Sequence, residues 1–142
     1  MTWIAAETGV DDALMIYLDT SVLLAQLFAE DRAPPEAIWS ETLVSSRLLE
    51  YEVFNRTHAR SATASHGRDA RRLIDRVSLV ELSPRALARA LDAFAQPVRT
   101  LDALHLATMD FLRAQGQTLR LATYDQRLAA AARRLGFELA EV

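Results

Sequence analysis

An α/β fold, with a mostly parallel sheet of about five strands flanked by helices on both faces, is what this sequence predicts. Two observations carry that expectation. Short apolar runs such as Ile16 to Leu18 and Leu119 to Thr123 alternate with longer segments in which apolar residues recur at helical spacing. The punctuation agrees, because aspartates and hydroxyls stand where helices should begin and Gly136 stands where one should end. At 142 residues the chain fits a single domain with one real core.

Residues 1–14 lack the basic start and long apolar centre of a signal peptide, so they read as an N-terminal extension to a domain over 15–142. Either Met15 is the natural start or the extension docks through Trp3 and Ile4. The first strand, Ile16 to Leu18, feeds a helix from Val22 to Phe28. Leu43 and Val44 mark a second strand before a helix from Arg47 to Ala59. Val77 to Leu82 reads as strand, and Pro84 to Phe94 and Leu101 to Ala114 as helices. Leu119 to Thr123 is a strand leading into a helix from Asp125 to Leu135, and a short last strand spans Phe137 to Val142. The small-residue stretch SATASHG, residues 61–67, reads as a loop.

Composition removes several function classes. Without cysteine there are no disulfides, thiolate zinc sites or cysteine nucleophiles, and a reducing cytoplasm suits the chain. All 16 basic residues are arginine, which eliminates any mechanism that needs lysine. No apolar run approaches the ~20 residues of a membrane span, so no membrane role is expected. A net charge of −3 argues against wholesale coating of nucleic acid but leaves room for a local basic groove.

The chemistry must therefore come from acids. In a parallel sheet, the carboxyl ends of strands and the starts of the next helices share one edge, where ligands bind. Asp19 ends the first strand and Asp125 follows the Leu119 strand, each at the start of a helix. Capping accounts for either one alone, yet Thr20 and Ser21 could cap the same helix as Asp19, which makes three candidates for one role. Asp102 falls in the first turn of its helix, where the dipole favours an anion, with Thr100 as the expected N-cap. On a wheel of about 100° per residue, Leu101, Leu104, His105, Thr108, Phe111 and Leu112 form the inner stripe. Asp102 borders that stripe and Asp110 projects to solvent. Glu50 and Glu52 lie two positions apart and cannot share a face. Glu52 projects into the apolar arc with Leu48, Leu49 and Val53, where a lone carboxylate needs an arginine, a hydrogen bond or a metal.

Four such acids can converge. Crowded carboxylates raise one another's pKa unless a divalent cation intervenes, and hard oxygen ligands without cysteine favour Mg2+ or Mn2+. Ions of that kind suit phosphodiester hydrolysis.

The motifs IYLDTSVL, SSRLLEYEV, RTLDALHLAT and ATYDQRL, in that order, resemble those of PIN-domain ribonucleases, specifically the VapC-type toxins of type II toxin–antitoxin pairs. The resemblance covers about residues 15–142. It implies an Mg2+- or Mn2+-dependent endoribonuclease with Asp19, Glu52, Asp102 and Asp125 as catalytic and metal-binding acids, and Ser21, Thr123 and Thr20 as supporting hydroxyls. It further implies an RNA substrate cut to leave a 5′-phosphate, a cognate protein antitoxin, a homodimer and a cytoplasmic location.

RNA contact would fall to arginine. Arg56, Arg60 and Arg68 belong to a run of six arginines against two aspartates between Arg56 and Arg76, and Arg99 stands beside the Asp102 motif. His105 reads as a hydrogen-bonded inner residue rather than a general base. Phe54, outside its helix's apolar arc, and Tyr51 suggest a surface for a protein partner. Other readings are a PIN-like module that binds RNA or protein without cutting, or a phosphoaspartate domain of the receiver or phosphatase kind. A receiver expects a strand-end lysine, and such a phosphatase expects an aspartate where Ser21 stands.

Overall fold

The structure, a computed structural model, describes residues 14–142; expectations about residues 1–13 lie outside the described residues. Five strands and six α-helices follow one another among the described residues, with two helices in succession after the second strand and again after the third. They run β1 (Leu14–Leu18), α1 (Thr20–Leu27), β2 (Leu43–Ser46), α2 (Leu48–Ala59), α3 (Thr63–Ile74), β3 (Ser78–Val80), α4 (Pro84–Leu91), α5 (Thr100–Ala114), β4 (Thr118–Ala122), α6 (Gln126–Arg134) and β5 (Glu138–Leu139), with a 3-10 turn at Glu36–Ser40. All pairings are parallel and the spatial order is β3-β2-β1-β4-β5. The chain builds outward from β1 to β3 and then returns to the other side of β1, so the topological switch point lies between β1 and β4. These two strands pair along their full length, from Leu14 opposite Thr118 to Leu18 opposite Ala122.

Side chains alternate across the pleat and both faces are covered. Ile16 and Leu18 join Val22 and Leu23 of α1, Leu49 and Val53 of α2, and Ala70 and Ile74 of α3 in one core layer. Tyr17, Leu119 and Leu121 join Leu106, Met109 and Leu112 of α5 and Leu128, Ala131 and Ala132 of α6 in the other. Helix α4 packs on the outside of α5. No helix among the described residues is long and apolar enough to cross a membrane.

Four expectations are corrected. SATASHG is not a loop: from Thr63 it is the first turns of α3, which forms because Ala70, Leu73 and Ile74 bury a stripe against the core. Phe54, expected with Tyr51 on a partner surface, is instead half-buried against that same core, with the Arg71 guanidinium 5.1 Å from its ring, whereas Tyr51 is exposed. Asp110 is not solvated; it sits between Arg89 and Arg113 at 3.0 and 3.1 Å. Leu101 falls outside the inner stripe and is exposed, while Leu106 and Met109 are fully buried.

Candidate active site

Asp19 follows β1 directly, and its N–H still bonds Ala122 O of β4 at 3.0 Å, so the sheet fixes its backbone at the switch point. It is the N-cap of α1, accepting from Ser21 N, which confirms the capping reading without exhausting the side chain. Its Oδ2 also accepts from Ser21 Oγ at 2.6 Å and Thr123 Oγ1 at 2.8 Å. Both hydroxyls are braced from behind: Ser21 Oγ accepts from Tyr124 N and Thr123 Oγ1 from Asp125 N, each at 2.9 Å. The loop after β4 is thereby tied to the end of β1.

Asp125 caps α6, with Oδ1 accepting from Arg127 N and Leu128 N at 2.9 and 3.2 Å. Glu52 points inward from α2, as its place on the wheel requires. Its partners are not arginines: Oε1 accepts from Thr20 Oγ1 at 2.9 Å and lies 2.7 Å from His105 Nε2. Glu50 takes the arginines instead, Arg71 at 2.7 Å and Arg47 at 3.2 Å. Asp102 lies in the first turn of α5, but Thr100 does not cap that helix. Arg99 occupies the cap position with extended backbone and no side-chain bond, and Thr100 is the first helical residue.

A regular pattern emerges at three of the acids. Asp19, Glu52 and Asp125 each hold one carboxylate oxygen in protein hydrogen bonds and leave the other without a protein donor among the described residues. Asp102 makes no side-chain hydrogen bond among them. The fourth acid feels the other three: burial pushes the Asp102 carboxyl above the ordinary range, and the charges of Asp125, Asp19 and Glu52 push the same way against His105. Burial disfavours charge on His105, yet its hydrogen bond to Glu52 and the nearby carboxylates outweigh that and raise its pKa. The four acids therefore share one electrostatic neighbourhood, although no three of the described acids and histidines are drawn into a ready-made metal site.

Of the arginines, Arg99 is exposed at the start of the helix that carries Asp102. Arg56 and Arg68 are exposed on α2 and α3. Arg60 is engaged elsewhere, 3.8 Å from Glu30 and with its guanidinium 4.2 Å from the Phe28 ring. Sequence reasoning missed Arg32, whose guanidinium stacks 4.6 Å from the Tyr124 ring, between Thr123 and Asp125 in the chain. It lies in an irregular stretch where no periodicity marks it.

With this geometry established, comparison with known proteins decides the family. The family model of the PIN domain matches residues 16–134, the span that carries all four acids. The chain belongs to the PIN-domain family. A relative named ribonuclease VapC46, from Mycobacterium tuberculosis (strain ATCC 25618 / H37Rv), is 34% identical over 125 residues, 85% of this chain and 92% of its own. Ribonuclease VapC47 of strain CDC 1551 / Oshkosh is 29% identical over 130 residues, 87% of this chain and 93% of its own. Within the PIN-domain family the chain is thus of the VapC type. Two solved structures share the fold at 19% identity. PAE2754 from Pyrobaculum aerophilum has a TM-score of 0.60 over 85% of this chain and 81% of its own. A toxin–antitoxin complex from Klebsiella pneumoniae has a TM-score of 0.54 over 87% and 94%.

Proposed function

We propose that this VapC-type PIN domain is an endoribonuclease toxin that hydrolyses RNA phosphodiester bonds with a divalent metal ion and is neutralised by a protein antitoxin. The carrying observation is the oxygen pattern: three acids, two of them at the switch point of the parallel sheet, are each anchored through one oxygen, with the other left free of protein donors among the described residues. A structural cap has no use for that second oxygen; a hard cation does. Burial, and then the like charges of Asp125, Asp19 and Glu52, disfavour the ionised Asp102, a cost that a dication would offset.

Asp19, Glu52, Asp102 and Asp125 would hold Mg2+ or Mn2+, which when bound supplies phosphoryl polarisation, a more acidic attacking water and stabilisation of the leaving oxygen. Ser21 and Thr123 keep Asp19 in one rotamer, and Thr20 does the same for Glu52. Arg99 and Arg32, both exposed, serve to hold phosphates of the substrate. The exposed apolar residues Leu87, Leu91 and Leu101, near a cleft of about 960 Å³ between α4 and the start of α5, support a protein partner, whether antitoxin or second copy. A cytoplasmic setting places the enzyme with its RNA.

The test is cleavage of labelled RNA by the pure protein. Cleavage should require Mg2+ or Mn2+, stop with excess chelator, and fall in Asp19→Asn, with the fold intact by circular dichroism, by more than the ~10–100-fold that loss of a ligand's orienting partner costs. Cleavage that persists in chelator, or is unchanged in Asp19→Asn, sinks the proposal.

A further inference from the structure

Tyr17 and His105 are fully buried and polar, among side chains that are mostly apolar. Neither belongs to the set of acids, and a buried polar group persists only where its hydrogen bonds are satisfied. Their bonds form a directed chain. Ser46 N, at the end of β2, lies 3.1 Å from Tyr17 Oη on β1. A backbone N–H can only donate, so the phenol accepts there and still has its own proton to give, with His105 Nδ1 in reach 2.7 Å away on α5. With Nδ1 accepting, the neutral ring carries its proton on Nε2. That nitrogen faces Glu52 Oε1 on α2 at 2.7 Å. The two rings meet edge to face, 5.7 Å between centroids at 83°, which holds the imidazole in the plane this chain needs.

Resting on the ribonuclease reading above, we infer that Tyr17 and His105 are positioning residues that lock one imidazole tautomer and so fix Glu52 with Oε1 committed to the protein and Oε2 available to a cation. The fixed point is the backbone of β2, so the orientation of Glu52 is set by four elements at once. Thr20 Oγ1 supplies the second donor to the same oxygen at 2.9 Å, which leaves no reason for Oε2 to turn inward. Without the phenol proton, the imidazole is free to carry its hydrogen on Nδ1 and to present a lone pair to the carboxylate. Glu52 then loses its strongest contact and its fixed rotamer. Metal-ligating groups are commonly oriented by partners in this way, and removing such a partner costs about 10–100-fold in metal affinity or activity.

The experiment compares the full chain with Tyr17→Phe, His105→Leu and His105→Gln, reading Mn2+ affinity by calorimetry, RNA cleavage and thermal melting. Tyr17→Phe and His105→Leu should bind Mn2+ about 10–100-fold more weakly and lose kcat by a similar factor, with KM for RNA nearly unchanged. His105→Gln, whose amide restores a donor toward Glu52, should recover part of both. Metal affinity and kcat equal to wild type in either folded variant overturn the inference while leaving the ribonuclease reading in place. A wild-type protein that neither binds Mn2+ nor cuts RNA overturns both. Because a core substitution can unfold the protein, the wild type supplies its own readout: nitrogen-15 spectra of His105 at a pH where the ring is neutral. A proton on Nε2 is expected, and one on Nδ1 overturns the assignment.

Discussion

Asp19 caps the first helix through one carboxylate oxygen and leaves the other without a protein donor among the described residues. Its neighbours decide how firmly it is held. Thr123 links Asp19 to the loop that carries Asp125, donating to the first and accepting from the second. Thr123→Val keeps the shape and removes both bonds, so RNA cleavage should fall about 10–100-fold. Thermal melting beside the activity assay separates this from unfolding, and loss of the fold would make Thr123 a structural residue. Glu50 offers the contrast. The Arg71 hydrogen bond holds its carboxyl below the ordinary range against the opposing cost of burial, with Arg47 in support. An acid whose pKa is lowered by folding stabilises the protein above its unfolded pKa and loses that contribution as pH falls through the folded value. Glu50→Gln should leave cleavage near normal and cost at most about 1 kcal/mol at pH 7, because the pairs are partly exposed. The difference in melting temperature should vanish in acid, below the ordinary glutamate range. The wheel placed Glu52 inward and Glu50 outward from sequence alone; it could not name their partners, since Thr20, His105 and Arg71 arrive from other elements.

Helix α6 shows how local rules set element ends. Gly136, just beyond it, has φ +89° and its N–H reaches Arg133 O at 2.9 Å, the left-handed stop the sequence predicts there. Gly136→Ala should cost about 1–2 kcal/mol from that conformation, read as a lower denaturation midpoint with the slope unchanged. A midpoint equal to wild type would show that the turn relaxes. Helix α3 shows the opposite case. Thr63, Ser65, His66 and Gly67 are indifferent or poor helix formers, so propensity points to a loop. The helix exists because Ala70, Leu73 and Ile74 bury against α1 and α2, and the same packing covers Phe54. One misread element therefore produced two wrong expectations.

At the scale of the whole molecule, the order β3-β2-β1-β4-β5 brings Asp19 and Asp125 to neighbouring strand ends although 106 positions separate them in the sequence. Burial, with the like charges of Asp125, Asp19 and Glu52, raises the pKa of Asp102, so the ionised cluster is costly without an opposing charge. Any cation that binds only the folded state adds stability, about 2.7 kcal/mol at a hundred times its dissociation constant. Mn2+ should therefore raise the melting temperature of the wild type and leave Asp19→Asn unmoved; an equal rise in both would place the ion elsewhere. By itself the sequence determined the fold class, the run of strands and helices save α3, the candidate acids and the family they resemble. Those features rest on periodicity, turn chemistry and residue type, which are local. Only the tertiary structure decided which oxygen of each acid is bound and which is free, that Tyr17 and Ser46 stand behind His105, and that Arg60 is engaged with Glu30 and Phe28. Those outcomes depend on contacts between residues far apart in the chain, and a helical or strand period carries no record of what lies on the next element.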